Sequence, residues 1–192
     1  MADESIPDTG PGGTVILLNG ASSSGKSSIA RELLGLLDGT WFHIPVDAFH
    51  AMRGDRPIAD EDVQAEIDRT AKGFHRAIAG MTAAGNNVVA DYPLSRRWRL
   101  LDLLDLLVHE DTVLIGVRCP LEVLRRRETE RGDRNPGLAA MQYHAVHSHG
   151  PHDLDVDTSV QTPRECALGI RDTLRDRPRP TAFETLHRTL RS

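Results

Sequence analysis

The run Gly20-Ala21-Ser22-Ser23-Ser24-Gly25-Lys26-Ser27 sets two glycines five residues apart and follows the second with a lysine and a hydroxyl side chain. Glycines at this spacing let a backbone curl until successive N–H groups point at one anion, and the N-terminus of the next helix adds partial positive charge. Lys26 is then placed to reach the β- and γ-phosphates of a nucleotide. The Ser27 hydroxyl is offered to Mg²⁺, a hard cation that takes few protein ligands. The pattern predicts a phosphate-binding P-loop from Gly20 through Ser28, entered from the apolar strand Thr14-Val15-Ile16-Leu17-Leu18. A Gly/Ser-rich turn before a helix is the bland alternative, and the full pattern in its strand-loop-helix context weighs against it.

Two acids follow apolar runs: Asp47 after His43-Ile44-Pro45-Val46, and Asp91 after Val88-Val89-Ala90. In open parallel sheets, ligands gather beyond the carboxyl ends of the strands, so both acids are expected to face the γ-phosphate region. A neutral hydroxyl is a weak nucleophile, and phosphoryl transfer to it gains from a carboxylate that accepts its proton. Asp47 is the candidate base and Asp91 a candidate metal-shell acid together with Ser27. The two roles are exchangeable at this level, and either acid could instead cap a helix.

Further along, Arg125-Arg126-Arg127-Glu128-Thr129-Glu130-Arg131-Gly132-Asp133-Arg134 reads as a helix ending in a glycine hinge. Its arginines could swing over a nucleotide and stabilise the charge that spreads over the transferring oxygens. Read alone, the same stretch is a solvated helix face with pairs such as Arg126 and Glu130. His144, His147, His149 and His152 form a dense histidine cluster, but their spacing matches no two-plus-two zinc pattern and no cysteine pair accompanies it. Surface or substrate-pocket histidines are the better reading.

These groups need a scaffold, and the chain alternates in a way that supplies one. Apolar runs at Thr14 to Leu18, Trp41 to Val46, Asn87 to Ala90, Thr112 to Cys119 and Leu154 to Thr158 are separated by segments of helical spacing. That alternation predicts an α/β domain with five parallel strands and helices on both faces. A first helix is expected from the loop to a stop at Gly39. A second carries the stripe Ile67, Ala71, Phe74, Ile78 and Met81, closed by Gly85, and a third spans about Ser95 to Leu107. Pro120 and Pro163 are placed to open two more helices, and Thr181 to Ser192 reads as a tail able to dock as a short helix.

The 192 residues suffice for one such domain, read as a flexible leader over 1–13, a kinase domain over 14–178 and a C-terminal tail over 179–192. With 23 Lys and Arg against 28 Asp and Glu the net charge is −5, which favours neither nucleic acid nor an anionic membrane and points to a small-molecule partner. Cys119 and Cys166 suit buried free thiols in a reducing cytoplasm, and no apolar run reaches membrane length. Homo-oligomer formation stays open.

The chain resembles the chloramphenicol phosphotransferase family, a branch of the small P-loop kinases related to shikimate and adenylate kinases. The likeness runs from Thr14 to about Leu174. It is carried by Leu18-Asn19-Gly20, Ser22-Ser23, Gly25-Lys26-Ser27, Val46-Asp47 and Gly116-Val117-Arg118-Cys119. Further positions are Arg127-Glu128-Thr129 with Arg131-Gly132-Asp133-Arg134, Gln142, Val146-His147, Asp153 with Val156-Asp157-Thr158, and Glu165-Cys166-Ala167. The resemblance implies strand order 2-3-1-4-5, use of ATP with Mg²⁺, and transfer of the γ-phosphoryl group to the primary hydroxyl of chloramphenicol. It also implies Asp47 as base and Arg131 and Arg134 in a lid. Asp91-Tyr92 stands where the family carries two successive acids, and the segment Ala48 to Asp62 differs.

The sequence thus favours an ATP-dependent O-phosphotransferase acting on a hydroxyl of a small molecule, chloramphenicol or a related antibiotic among the candidates. A nucleotide or small-metabolite kinase is the alternative enzyme, and a nucleotide-binding switch the non-enzyme one. The placement of Asp47 and the lack of a clear Asn/Thr-Lys-x-Asp guanine signature argue against the switch.

Overall fold

The structure, a computed structural model, describes residues 11–131 and 137–191. Most of the expected leader and the lid candidate Arg134 lie outside the described residues. The chain runs β1 (Val15–Asn19), α1 (Lys26–Leu34), β2 (Trp41–Pro45), α2 (Val46–Ala51), a 3₁₀ turn (Asp60–Asp62), α3 (Val63–Ala83), β3 (Asn87–Asp91) and α4 (Arg97–Leu106). It continues through β4 (Thr112–Arg118), α5 (Leu121–Arg131), α6 (Leu138–Tyr143), β5 (Leu154–Asp157), α7 (Pro163–Arg175) and α8 (Ala182–Leu190). The five strands pair in parallel in the order β2-β3-β1-β4-β5, the order that the resemblance implied.

Each central strand is buried on both faces, which is why its sequence is a continuous apolar run. In β1, Val15 and Leu17 join one core with α3, α4 and α8, whereas Ile16 and Leu18 join a second core with α1 and α7. The predicted stripe on α3 is real: Ala71, Phe74 and Ile78 are fully buried, flanked by the half-buried Ile67 and Met81. Cys119 and Cys166 are free and buried, as expected.

Strand ends shift by a residue from expectation, and the helix boundaries shift further. α1 ends at Leu34, five residues before the Gly39 stop, and Gly35 N–H turns back to Glu32 O at 3.1 Å. Leu36 and Leu37 follow in a turn yet still pack on the core, so their apolar spacing continues the helical pattern without the helix. β2 ends at Pro45, and Val46 already opens α2. The helix expected from Ser95 begins at Arg97.

The C-terminal segment forms α8, which a reciprocal Thr181/Glu184 capping box starts. Phe183 is fully buried by it against the α3/α4 core. Removing a phenyl ring from such a site leaves a cavity, so Phe183→Ala is expected to cost about 3–5 kcal/mol of stability, readable as a lower denaturant midpoint.

Candidate active site

The register of the sheet brings the predicted groups to one edge. Leu18 lies opposite Asp91, Asn19 opposite Gly116 and Pro45 opposite Asp91, so β1, β2 and β3 finish at the same level. The glycine-serine loop leaves β1 there, α2 with Asp47 leaves β2, and Asp91 closes β3. One cavity of about 1170 Å³ is lined by Ser22, Ser23, Gly25, Lys26, Ser27, Ser28, Asp47, Asp91 and Arg131. It exceeds the roughly 300–1,000 Å³ of ordinary small-molecule sites, leaving room for a nucleotide and a second molecule.

The loop owes its shape to different residues than spacing suggests. Gly25 takes a φ of 93° as the residue before α1, and Ser23 shares the left-handed region at φ 63°. Gly20 is needed for another reason: a Cβ there would stand 2.5 Å from the Val117 carbonyl oxygen and 2.7 Å from Ser24 Oγ. The hydroxyls of Ser22, Ser23 and Ser24 are buried with no hydrogen-bond partner among the described residues. Orphaned buried donors of this kind call for a ligand. A triphosphate, rich in acceptor oxygens and seated at the start of α1, fits them.

Lys26 is buried, and its ammonium donates to Ala21 O at 2.9 Å and stands 3.7 Å from Asp91 Oδ1. Ser27 Oγ donates to Asp91 Oδ2 at 2.5 Å, and His43 Nε2 lies 3.7 Å from the same oxygen. Burial pushes the Asp91 carboxyl upward, but Lys26, His43 and Ser27 together outweigh it and hold the group below its ordinary value of 3.8. Asp91 is therefore ionised at neutral pH. An ionised carboxylate beside a serine hydroxyl is a hard oxygen donor set, and it suits Mg²⁺. Asp47 occupies the first turn of α2 and is exposed to the cavity. Arg131, at the end of α5, also lines it.

Sequence reasoning did not foresee the brace on this loop, and it read Arg127 only within a lid or a solvated helix face. Ser22 N–H donates to Gln142 Oε1 at 2.8 Å. Thr158 Oγ1 donates to Ser24 O at 2.8 Å, while Arg127 donates to Thr158 Oγ1 at 3.0 Å and to Thr158 O at 2.7 Å. The Asn19 amide donates to Val146 O at 2.5 Å and accepts Leu94 N–H at 3.0 Å, joining β1, the segment after β3 and the segment before β5. The buried Glu128 carboxylate accepts Gly137 N–H and Ala139 N–H, each at 2.9 Å, and so anchors α6 and with it Gln142. Arg127, Gln142 and Thr158 all belong to the positions that carried the resemblance.

Two expectations follow. Glu128→Ala strips two backbone donors of a charged acceptor and is expected to cost about 3 kcal/mol, checked by denaturant titration. Thr158→Val is expected to cost about 1–2 kcal/mol and to raise the nucleotide KM, because the Ser24 carbonyl and Arg127 lose their shared hydroxyl.

The basic stretch divides by face. Arg126 pairs with Glu130 at 3.9 Å on the surface, as the solvated reading had it, whereas Arg127 turns inward. Two of the four clustered histidines meet a carboxylate that the sequence did not connect with them: His147, His152 and Asp155 have donor atoms within 4.8 Å of one another. His152 Nδ1 lies 3.1 Å from Asp155 Oδ1 on β5 and its Nε2 lies 3.2 Å from the Asn19 amide nitrogen on β1, so both ring nitrogens are already engaged. Burial, with Arg118 nearby, lowers His147 to about 4 and keeps it neutral.

A parallel sheet of order 2-3-1-4-5 with this loop after β1 and acids after β2 and β3 is a P-loop kinase fold. Solved kinases share it. The Mycobacterium tuberculosis APS kinase, in complex with AMPPNP and APS, superposes with a TM-score of 0.64 at 18% identity, over 86% of this chain and 99% of that one. A gluconokinase from Sinorhizobium meliloti 1021 gives 0.62 at 20% identity, over 86% and 94%. The chain belongs to the chloramphenicol phosphotransferase-like family, whose model matches residues 13–175. A relative from Mycobacterium tuberculosis (strain H37Rv), named "Putative O-phosphotransferase Rv2636", is 30% identical over 93% of this chain and 89% of its own length. The protein is thus a small-molecule kinase of this family, and no described helix is long and apolar enough to cross a membrane.

Proposed function

We propose that the protein transfers the γ-phosphoryl group of ATP to a hydroxyl of a small molecule. The observation that supports this most is the convergence of Lys26, Ser27, Asp91 and Asp47 on one cavity. The loop N–H groups and the Lys26 ammonium hold the β- and γ-phosphates and face the charge that develops on them. Asp47, which lines the same cavity, accepts the acceptor hydroxyl proton while the new O–P bond forms and the γ-phosphorus parts from the β–γ bridging oxygen, leaving ADP. Ser27 and Asp91 would hold Mg²⁺, directly or through its waters, and the ion would supply neutralisation of phosphate charge. Arg131, and Arg134 outside the described residues, are the proposed lid arginines.

Chloramphenicol or a related antibiotic is the acceptor that the family's description brings to mind. The test is a screen of alcohols with γ-labelled ATP, scored by mass spectrometry for a gain of one phosphate. Label on an alcohol oxygen is expected. Nucleotide binding with no phosphorylated alcohol would overturn the reading.

A further inference from the structure

The chain is acidic overall, at net −5, but its cavity is not. Seven Lys and Arg side chains line that wall against two carboxylates, Asp47 and Asp91. Lys26, Arg31 and Arg131 can all be given to the triphosphate. Four guanidinium groups remain: Arg53 and Arg56 on the segment after α2, and Arg96 and Arg99 at the start of α4.

Their charge is poorly met. Arg53 and Arg56 are exposed, and their guanidinium groups form no hydrogen bond or ion pair among the described residues. Arg96 and Arg99 share the single Asp68 carboxylate, each at 4.0 Å, the outer limit of an ion pair, and that carboxylate also accepts Gln64 Nε2 at 2.9 Å. Arg99 is buried and fixed: Nη1 donates to Pro93 O at 3.3 Å and to Ser95 Oγ at 3.1 Å, and its Cζ lies 5.5 Å from the Tyr92 ring centre and 5.8 Å from that of Trp98. Like charges gathered in one concave wall repel one another and concentrate anions. A guanidinium also matches the paired oxygens of a carboxylate or phosphate.

We propose that the acceptor is a small hydroxylated compound bearing at least one oxyanion group, a carboxylate or a phosphate ester, gripped by Arg53, Arg56, Arg96 and Arg99 while its hydroxyl faces Asp47. This rests on the phosphotransfer reading and narrows it, since a neutral antibiotic would leave Arg53 and Arg56 without a counter-charge and Arg96 and Arg99 with only the shared Asp68. The same wall offers Pro57, Ile58 and Ile67 to the carbon skeleton, so the anion and the reacting hydroxyl belong on one compact molecule.

The experiment uses matched alcohols: glucose against glucose 6-phosphate and gluconate, adenosine against adenosine monophosphate, and chloramphenicol as a further neutral compound. Each is incubated with Mg²⁺ and ATP for product formation, and each is titrated calorimetrically into the protein saturated with Mg²⁺ and AMPPNP. Anionic members are expected to be favoured at least roughly 10-fold, and glucose 6-phosphate against gluconate separates phosphate from carboxylate recognition. The doubly exchanged Arg53→Gln/Arg56→Gln protein, altered only at exposed positions, is expected to raise the KM or Kd for the anion roughly 10- to 100-fold, moving the nucleotide KM far less. Equal use of neutral partners, or no measurable binding of any anion, would overturn the inference while a phosphorylated neutral alcohol left the transfer reading standing. Anion binding that the arginine exchange weakens, with no alcohol phosphorylated, would instead support the oxyanion site and remove phosphotransfer.

Discussion

Lys26→Ala is expected to lower phosphoryl transfer by roughly 10³-fold or more, the scale on which a preorganised donor facing developing oxyanion charge acts. The ammonium is not a loose surface charge. It is buried, tied to Ala21 O at 2.9 Å and 3.7 Å from Asp91. Its removal therefore acts twice, on the phosphates and on the carboxylate it leaves behind. Burial is the largest influence on Asp91 and Lys26 the chief opposing one, so the carboxyl of the variant titrates higher than that of the wild type. A depressed carboxyl contributes stability above its unfolded value and loses it as pH falls through the folded value. The deficit of Lys26→Ala relative to wild type should accordingly be smallest in acid and grow as pH rises from the wild-type Asp91 value. Denaturant titrations from about pH 3 to about pH 7 check it alongside turnover. A deficit independent of pH would mean that Lys26 does not hold Asp91 ionised. Lys26→Arg should not rescue transfer, because a planar guanidinium does not fit the packed space of an ammonium.

Asp47→Asn is expected to lower kcat by roughly 10²- to 10⁴-fold, the usual contribution of a positioned general base. The change is nearly isosteric and falls on an exposed first-turn residue of α2, so folding should be little affected. Nucleotide affinity should move much less than kcat, since the groups proposed to hold the phosphates sit on the loop and those proposed to hold the metal are Ser27 and Asp91. Wild-type turnover in Asp47→Asn would reassign the base, with Asp91 the next carboxylate on the wall.

Much of this was legible from residue order. The P-loop, the five strands and the α3 stripe are local signals in which a few consecutive residues carry both the pattern and its cause. The acids after β2 and β3 were placed by a topological rule and needed no knowledge of packing. What escaped was long-range. Gln142 serves Ser22 from 120 residues away and Thr158 serves Ser24 from 134, and no spacing rule connects such pairs. The resemblance singled these positions out without giving them a role. α2 and α6, six residues each, are too short to show a helical period. The arginine wall escaped for a related reason, as Arg53 and Arg56 lie in an aperiodic segment and meet Arg96 and Arg99 only through the fold. For Gly20 the spacing suggested a freely curling backbone, whereas the structure shows a close approach to the Val117 carbonyl on a neighbouring strand.

The most direct measurement is a crystal structure of the protein with Mg²⁺ and a non-hydrolysable ATP analogue. The account predicts the β- and γ-phosphates against the N–H groups of the Gly20 to Ser28 loop, the metal beside Ser27 and Asp91, and the Asp47 carboxylate on the open side of the γ-phosphorus. A triphosphate bound elsewhere, or an Asp47 turned away from the γ-phosphorus, would contradict it.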